Sequence, residues 1–139
     1  MIFGNTDETL AALQNGKFAP RDMVYLEKSA ASAVTATNPT PIHIEQKSFS
    51  AQEIEARVSA ESPTVVVISQ SHYPAWKAFV DGKPTRLFRA NHAFQALQVP
   101  SGTHQISLIY KDTFFNVGVL ITACSMLICA LVWTRFIRV

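Results

Sequence analysis

The sequence predicts a mainly β protein: an antiparallel β-sandwich of about seven to eight strands, with a short N-terminal helix before it and one C-terminal transmembrane helix after it. Three observations predict this. Between Ile42 and Tyr110 apolar and polar residues alternate in short runs, the pattern of strands with one buried face. The runs are punctuated by Gly, Pro, Asn and Asp, including an Asp81-Gly82 pair of the kind that closes two-residue hairpins. Phe114 to Trp133 then reads FFNVGVLITACSMLICALVW, 20 residues without a formal charge. A core helix seldom carries more than about 10–14 uninterrupted apolar residues, so this length favours a bilayer span. The organisation expected is a helix and lead-in over 1–20, the β-domain over 21–112, the span over 113–134 and a basic tail over 135–139.

The elements follow in order. Asp7 to Asn15 reads as a short helix: Thr6 or Asp7 supplies a cap, Leu10 and Leu13 share a face, and Asn15-Gly16 supplies the stop. Met23 to Glu27 is strand-like after Pro20. Ala30 to Pro41 has little pattern and reads as a loop, with a weak strand near Ala33 to Thr37. Ile42 and Ile44 begin the period of two. Ile54, Ala56 and Val58 alternate with Glu53, Glu55 and Arg57, which places both glutamates on one outward face as a solvated edge. Thr64 to Ser69 is apolar on both faces and β-branched, the signature of a central strand. Trp76, Ala78 and Val80 form one face of the next strand. Lys83 to Arg89 is its return, and Pro84, having no N–H to donate, makes the start of that strand an edge. Ala93 to Val99 and His104 to Tyr110 complete the set, the last burying Ile106, Leu108 and Tyr110.

Ten of the 20 residues in the apolar run are Leu, Ile, Val or Phe. They favour insertion by roughly 5 kcal/mol on a translocon scale. Tyr110 and Trp133 bracket the run and suit the two interfaces where amphipathic rings collect. Gly118, Thr122, Ser125 and Cys129 recur at spacings of four, three and four, a small-residue stripe that would let a neighbouring transmembrane helix approach.

Charge narrows the partners. Net charge is +2, and both excess positives, Arg135 and Arg138, follow the span. The first 113 residues are neutral overall and hold no basic tract, which argues against a nucleic-acid partner. The cysteines, Cys124 and Cys129, lie about 140° apart around a helix and cannot pair with each other. Arg135 and Arg138 favour a cytoplasmic C-terminus, leaving the β-domain outside the cytoplasm. Met1 to Asn5 has no charged n-region of a signal peptide. Two resolutions stand: earlier spans of a larger protein export the domain, or the chain is tail-anchored with its domain in the cytoplasm.

No catalytic, metal or cofactor site is expected. His43, His72, His92 and His104 lack metal-ligand spacing, and no Gly-rich phosphate loop exists. Ser69, Ser71, His72 and Asp81 have the residue types of a triad, but closeness in sequence is no evidence of geometry. The informative stretch is Ser69 to Pro84, SQSHYPAWKAFVDGKP. Its His72, Tyr73 and Trp76 offer rings beside polar groups, a candidate rim for a glycan or lipid head group. The plainer reading makes Trp76 and Val80 core and Tyr73-Pro74 a rigid loop.

That stretch, together with Arg89-Ala90-Asn91, Val99-Pro100-Ser101-Gly102-Thr103-His104 and Tyr110 just before a span, resembles the C-terminal end of the bacterial YfhO-type membrane proteins. In that family a YYPGWKAYVDGK-like segment is followed by RAN-like and VPAGKH-like turns and a membrane helix. Phe18-Ala19-Pro20-Arg21 resembles the family's FDPR-like lead-in, and Ala75 stands where the family usually has Gly. The resemblance implies a large multi-pass protein similar to membrane glycosyltransferases that use lipid-phosphate-linked sugars. It places their catalytic acids in an N-terminal membrane region, so no catalytic residue carries over to this chain. The function expected is a membrane-anchored, non-catalytic extracytoplasmic domain of the bacterial cytoplasmic membrane that positions a glycan or lipid-linked donor. The alternative class is a tail-anchored protein-interaction module facing the cytoplasm.

Overall fold

A computed structural model of the chain describes residues 1–14, 19, 23–36 and 41–137. The elements are β1 (Ile2–Gly4), α1 (Thr6–Gln14), β2 (Tyr25–Glu27), a 3-10 turn (Lys28–Ala30), β3 (Ile42–Phe49), β4 (Glu53–Ala60), β5 (Thr64–Ser71), β6 (Trp76–Val80), β7 (Lys83–Thr85), β8 (Phe88–Ala90), β9 (Phe94–Val99), β10 (Gly102–Tyr110) and α2 (Thr113–Ile137). The strands form two five-stranded sheets, in the orders β1-β2-β8-β9-β5 and β3-β4-β10-β6-β7. All pairings are antiparallel except β1 with β2, whose parallel register needs the crossover that contains α1. The fold is mainly β, as the alternation predicts. β1 and a split in one strand raise the strand number above the seven to eight expected.

The core lies between the sheets. Ile54, Ala56 and Val58 from β4, Trp76 and Ala78 from β6, and Ile106 and Leu108 from β10 meet Val66 and Ile68 from β5 and Leu97 and Val99 from β9. These are the inward positions of the alternation in β4, β6 and β10, where the period-two reading gives the right face; in β3 it does not, because Ile42 and Ile44 are 39% and 44% exposed on a strand that the core does not cover. A second cluster, Leu26, Phe88, Ala90 and Ala96, sits with Val65 and Val67 on the other face of the first sheet. Ala30 and Val34 pack onto it. Gln98 fastens this covering segment, accepting the Thr35 N–H at 2.8 Å and donating to Thr35 Oγ1 at 2.7 Å.

Five further expectations change. Thr64 to Ser69 belongs to an edge strand, because among the described residues β5 pairs only with β9. Its apolar faces report burial on both sides, by the core and by the covering segment, and say nothing of the hydrogen-bonding edge. Ala33 lies in a turn and residues 34–36 form no strand, since they cover a sheet instead of joining one; Thr37 lies outside the described residues. The return strand after the Asp81-Gly82 turn divides: β7 stays with β6, and beyond Arg86-Leu87 the chain enters the other sheet as β8. Pro84 does lie on an edge strand, as expected. Glu53 and Glu55 face outward, but β4 is hydrogen-bonded on both sides by β3 and β10, so they occupy no edge. The cap of α1 is Asn5, whose Oδ1 accepts the Glu8 N–H at 2.8 Å while Glu8 Oε2 accepts the Asn5 N–H at 2.9 Å. This reciprocal capping box outcompetes Thr6 and Asp7 because it satisfies two free amides at once. The Asn15-Gly16 stop and the Phe18, Pro20 and Arg21 positions of the lead-in lie outside the described residues.

α2 runs from Thr113 to Ile137, past the expected end at 134. Its Phe114–Arg135 segment is long and apolar enough to cross a membrane, and none of its apolar window is buried within the chain. A core helix would be covered by its own domain, so that reading is excluded. Thr122 Oγ1 donates to the Gly118 carbonyl and Ser125 Oγ to the Ile121 carbonyl, both at 2.9 Å. These bonds let the hydroxyls enter hydrocarbon with their hydrogens paired.

Candidate functional site

The His72, Tyr73 and Trp76 positions lie on and beside the loop between β5 and β6. A bulge opens the approach, where the register of β5 against β9 shifts between Ile68 and Ser71. The His72 N–H then donates to the Ala93 carbonyl at 2.7 Å, and the Trp76 N–H to the Tyr73 carbonyl at 3.1 Å, closing a turn with Pro74 at its second position. Pro74 presets φ there. Ala75 is not among the positive-φ residues, so this turn does not require the glycine usual in the resembling family.

The three side chains do not share one surface. Trp76 is buried at 5% exposure and belongs to the core, whereas Tyr73 is 54% exposed. Tyr110, at the end of β10, joins them. Its ring stacks on Tyr73 with centroids 6.2 Å apart and meets Trp76 edge-on at 5.5 Å. Burial raises the Tyr110 phenol above its ordinary value, helped by the Asp112 charge. Sequence reading assigned Tyr110 to a strand and a membrane interface but missed this cluster. The cross-strand pairing of Tyr110 with Trp76 produces it.

His72 is half-buried between two depressions. One is a groove of about 450 Å³ along β6 and β7, lined by Tyr73, Trp76, Thr85 and Leu87. The other is a recess of about 150 Å³ lined by Glu27, Ser29, Arg86 and Arg89. Arg89 faces Glu27 at 3.5 Å, and the Arg86 guanidinium stands 5.3 Å over the Phe88 ring. Desolvation lowers the His72 pKa, the Arg89 charge lowers it further, and Glu27 opposes both. His72 Nδ1 has no hydrogen-bond partner among the described residues. These surroundings thus disfavour the charged ring. Sequence reading did not find the two arginines, because β8 brings them beside His72 only after the chain changes sheets.

The remaining histidines are elsewhere. His43 lies on β3. His92 sits in the turn after β8, where it and Asn91 have φ of 72° and 47°. Asn91 holds that turn to β2: its Oδ1 accepts the Tyr25 N–H at 2.9 Å, and its own N–H donates to the Tyr25 carbonyl at 2.8 Å. Asp81 does not meet His72, Ser69 or Ser71. It bonds to His104 instead, with Nδ1 2.6 Å from Oδ2, while its Oδ1 accepts the Gln105 N–H at 2.9 Å. His104 Nε2 contacts the Ser101 carbonyl at 3.0 Å. Both ring nitrogens face oxygens that only accept, so the arrangement favours imidazolium. The bond to Asp81 raises the His104 pKa, and the bond to His104 lowers that of Asp81.

A pH dependence follows. The raised His104 contributes stability that is complete below its ordinary 6.5 and lost as pH rises through its folded value. The lowered Asp81 contributes stability that is present above its ordinary 3.8 and lost as pH falls through its folded value. The melting-temperature difference between the parent chain and Asp81→Asn should therefore be largest from pH 3.8 to 6.5 and shrink on either side. In a proton NMR titration the His104 midpoint should lie above 6.5 in the parent and fall towards it in Asp81→Asn. An unchanged midpoint would show that Asp81 does not hold the ring.

The motifs that carried the family resemblance thus map onto backbone requirements. Asp81 and Gly82 close a hairpin, Asn91 pins β2 to β8, Gly102 takes φ of 114°, and Trp76 fills the core. The family model described as bacterial membrane protein YfhO matches residues 25–122, from the first residue of β2 into α2. No curated protein and no solved structure matches the chain. With more than half of its residues inside that match, both sheets included apart from β1, the chain belongs to the bacterial membrane protein YfhO family.

Proposed function

We propose that this chain is a membrane-anchored, non-catalytic β-domain that lies outside the cytoplasm and positions a glycan or a lipid-linked sugar donor for a glycosyltransferase-like membrane protein. The observation that carries the reading is where the polar motif residues are engaged. Asp81 and Asn91 are held in turns, and His104 near the start of β10, by the bonds just described, which leaves them for scaffolding. The groove beside Tyr73, about 450 Å³ and open, runs along β6 and β7, and at one end Tyr73 stacks on Tyr110, the last residue of β10. An exposed stacking ring of this kind binds weakly, since it immobilises a flexible ligand without enclosing it. Arg135, at the C-terminal end of the apolar segment, supports a cytoplasmic C-terminus. The Gly118, Thr122, Ser125, Cys129 stripe is exposed, uncovered by the described residues, and a Cβ at Gly118 would meet nothing within 4 Å, which suits a neighbouring transmembrane helix.

The test is a transfer assay. Purified chain in detergent is incubated with lipid-phosphate-linked sugar and an acceptor, and product is followed by mass spectrometry. The expected result is no turnover. Turnover that disappears in His72→Ala or Asp81→Asn would overturn the non-catalytic reading.

A further inference from the structure

We propose that the sandwich does not hang free of the bilayer but rests one end, bearing Phe49, Tyr73 and Phe94, in the phospholipid head-group layer. This requires only that α2 spans the membrane and is independent of any glycan.

The registers define that end. Tyr110 closes β10 opposite Trp76, the first residue of β6, and Ile109 pairs with Glu53, the first residue of β4. Phe49, the last residue of β3, pairs with Ile54, and Phe94, the first residue of β9, pairs with Ser71, the last of β5. One end of each of these six strands therefore lies on the side from which α2 departs. Four aromatic side chains of the β-domain are exposed among the described residues, namely Phe3, Phe49, Tyr73 and Phe94, and the last three lie at this end. The opposite end carries the turns around Glu61, Asp81-Gly82 and Ser101; there Ile42, His43 and Ile44 are exposed, but no Phe, Tyr or Trp is, among the described residues.

The junction with the span is short and fixed. Lys111 and Asp112 alone separate β10 from α2. The Tyr110 N–H donates to the Gln52 carbonyl at 2.8 Å and the Lys111 N–H to the Ala75 carbonyl at 2.9 Å, which ties the linker to both neighbouring loops. Asp112 caps α2, its Oδ1 accepting the N–H groups of Phe114 at 3.0 Å and Phe115 at 3.1 Å. Tyr110 is four residues from Phe114, so their Cα atoms are at most about 14 Å apart. The head-group region of one leaflet is roughly 5–8 Å deep. Even at that limit the end lies within side-chain reach of the head groups, where Tyr and other rings with one apolar face are favoured. Lys111 and Lys77 are exposed beside it and suit lipid phosphates. Of the acids there, Asp112 is engaged by helix amides and Glu53 remains exposed.

The experiment uses the full chain with Cys124→Ala and Cys129→Ala, reconstituted in phosphatidylcholine–phosphatidylglycerol vesicles. Single cysteines replace Phe49, Tyr73 or Phe94 at the near end and Pro63 or Ser101 at the far end, and each carries an environment-sensitive fluorophore. Near-end labels should emit further to the blue, resist aqueous iodide and be quenched by head-group nitroxide lipids, while far-end labels show the reverse. Equal iodide access at both ends overturns the proposal, as does equal protection at both ends. Phe49→Ser with Phe94→Ser should raise iodide access to the label at position 73. Both rings are exposed in the chain, so the fold should survive, and an unchanged access would overturn their anchoring role.

Discussion

Trp76→Ala lowers the stability of the β-domain by about 3–5 kcal/mol, the usual cost of truncating a buried tryptophan. Trp76 is 5% exposed and packs in the central cluster with Ala78, Ile106 and Leu108. Its removal leaves a cavity between the sheets and strips Tyr110 of its edge contact. Small domains hold only about 5–15 kcal/mol in total, so the loss should lower the melting temperature by roughly 12 °C or more. Tyr73→Ala, three positions earlier, should cost about 1 kcal/mol or less, because the ring is half in solvent and its main partner is one stacked tyrosine. Melting of both variants in the same detergent, followed by near-ultraviolet circular dichroism, checks the pair. Equal losses would mean that Tyr73 belongs to the core and offers no surface to any ligand.

Gly82→Val should destabilise the domain by about 1–2 kcal/mol through backbone strain alone. Asp81 and Gly82 have φ of 49° and 75°, the two left-handed residues of a type I′ hairpin. A Cβ at Gly82 would meet nothing within 4 Å, so no clash with a neighbour contributes. Asn tolerates this region better than a β-branched residue does, so Gly82→Asn should recover part of the loss. Equal melting temperatures for Gly82→Val and Gly82→Asn would show that strain at this position is not the cause. The turn also carries Asp81, and a hairpin that opens should release His104 towards its ordinary pKa.

The family motifs were legible because their backbone demands are local. A type I′ turn needs two residues at positive φ, and Asp-Gly states this in two letters. The inward faces of β4, β6 and β10 were legible for the same reason, since side chains alternate with a period of two whatever lies across the sheet. The candidate rim was legible only in part. Sequence placed His72, Tyr73 and Trp76 within one short stretch, but the strand that begins at Trp76 turns its ring into the core while the preceding loop leaves Tyr73 outside. Nothing local in the sequence foretold Arg86 and Arg89 beside His72, or Tyr110 against Tyr73.

By itself, then, the sequence determined the β class, the burial phase of the main strands, the Asp81-Gly82 turn and the 20-residue run that anchors the chain. Each depends on neighbours within a few positions, or on length and charge alone. Tertiary structure decided which strands stand side by side, that β5 is an edge despite two covered faces, and that the chain leaves one sheet for the other between β7 and β8. It also gathered Phe49, Tyr73 and Phe94 at the end from which α2 departs. Strand order is a matter of contacts between residues far apart in the chain, and a local pattern fixes which face a side chain takes without fixing which strand lies beside it.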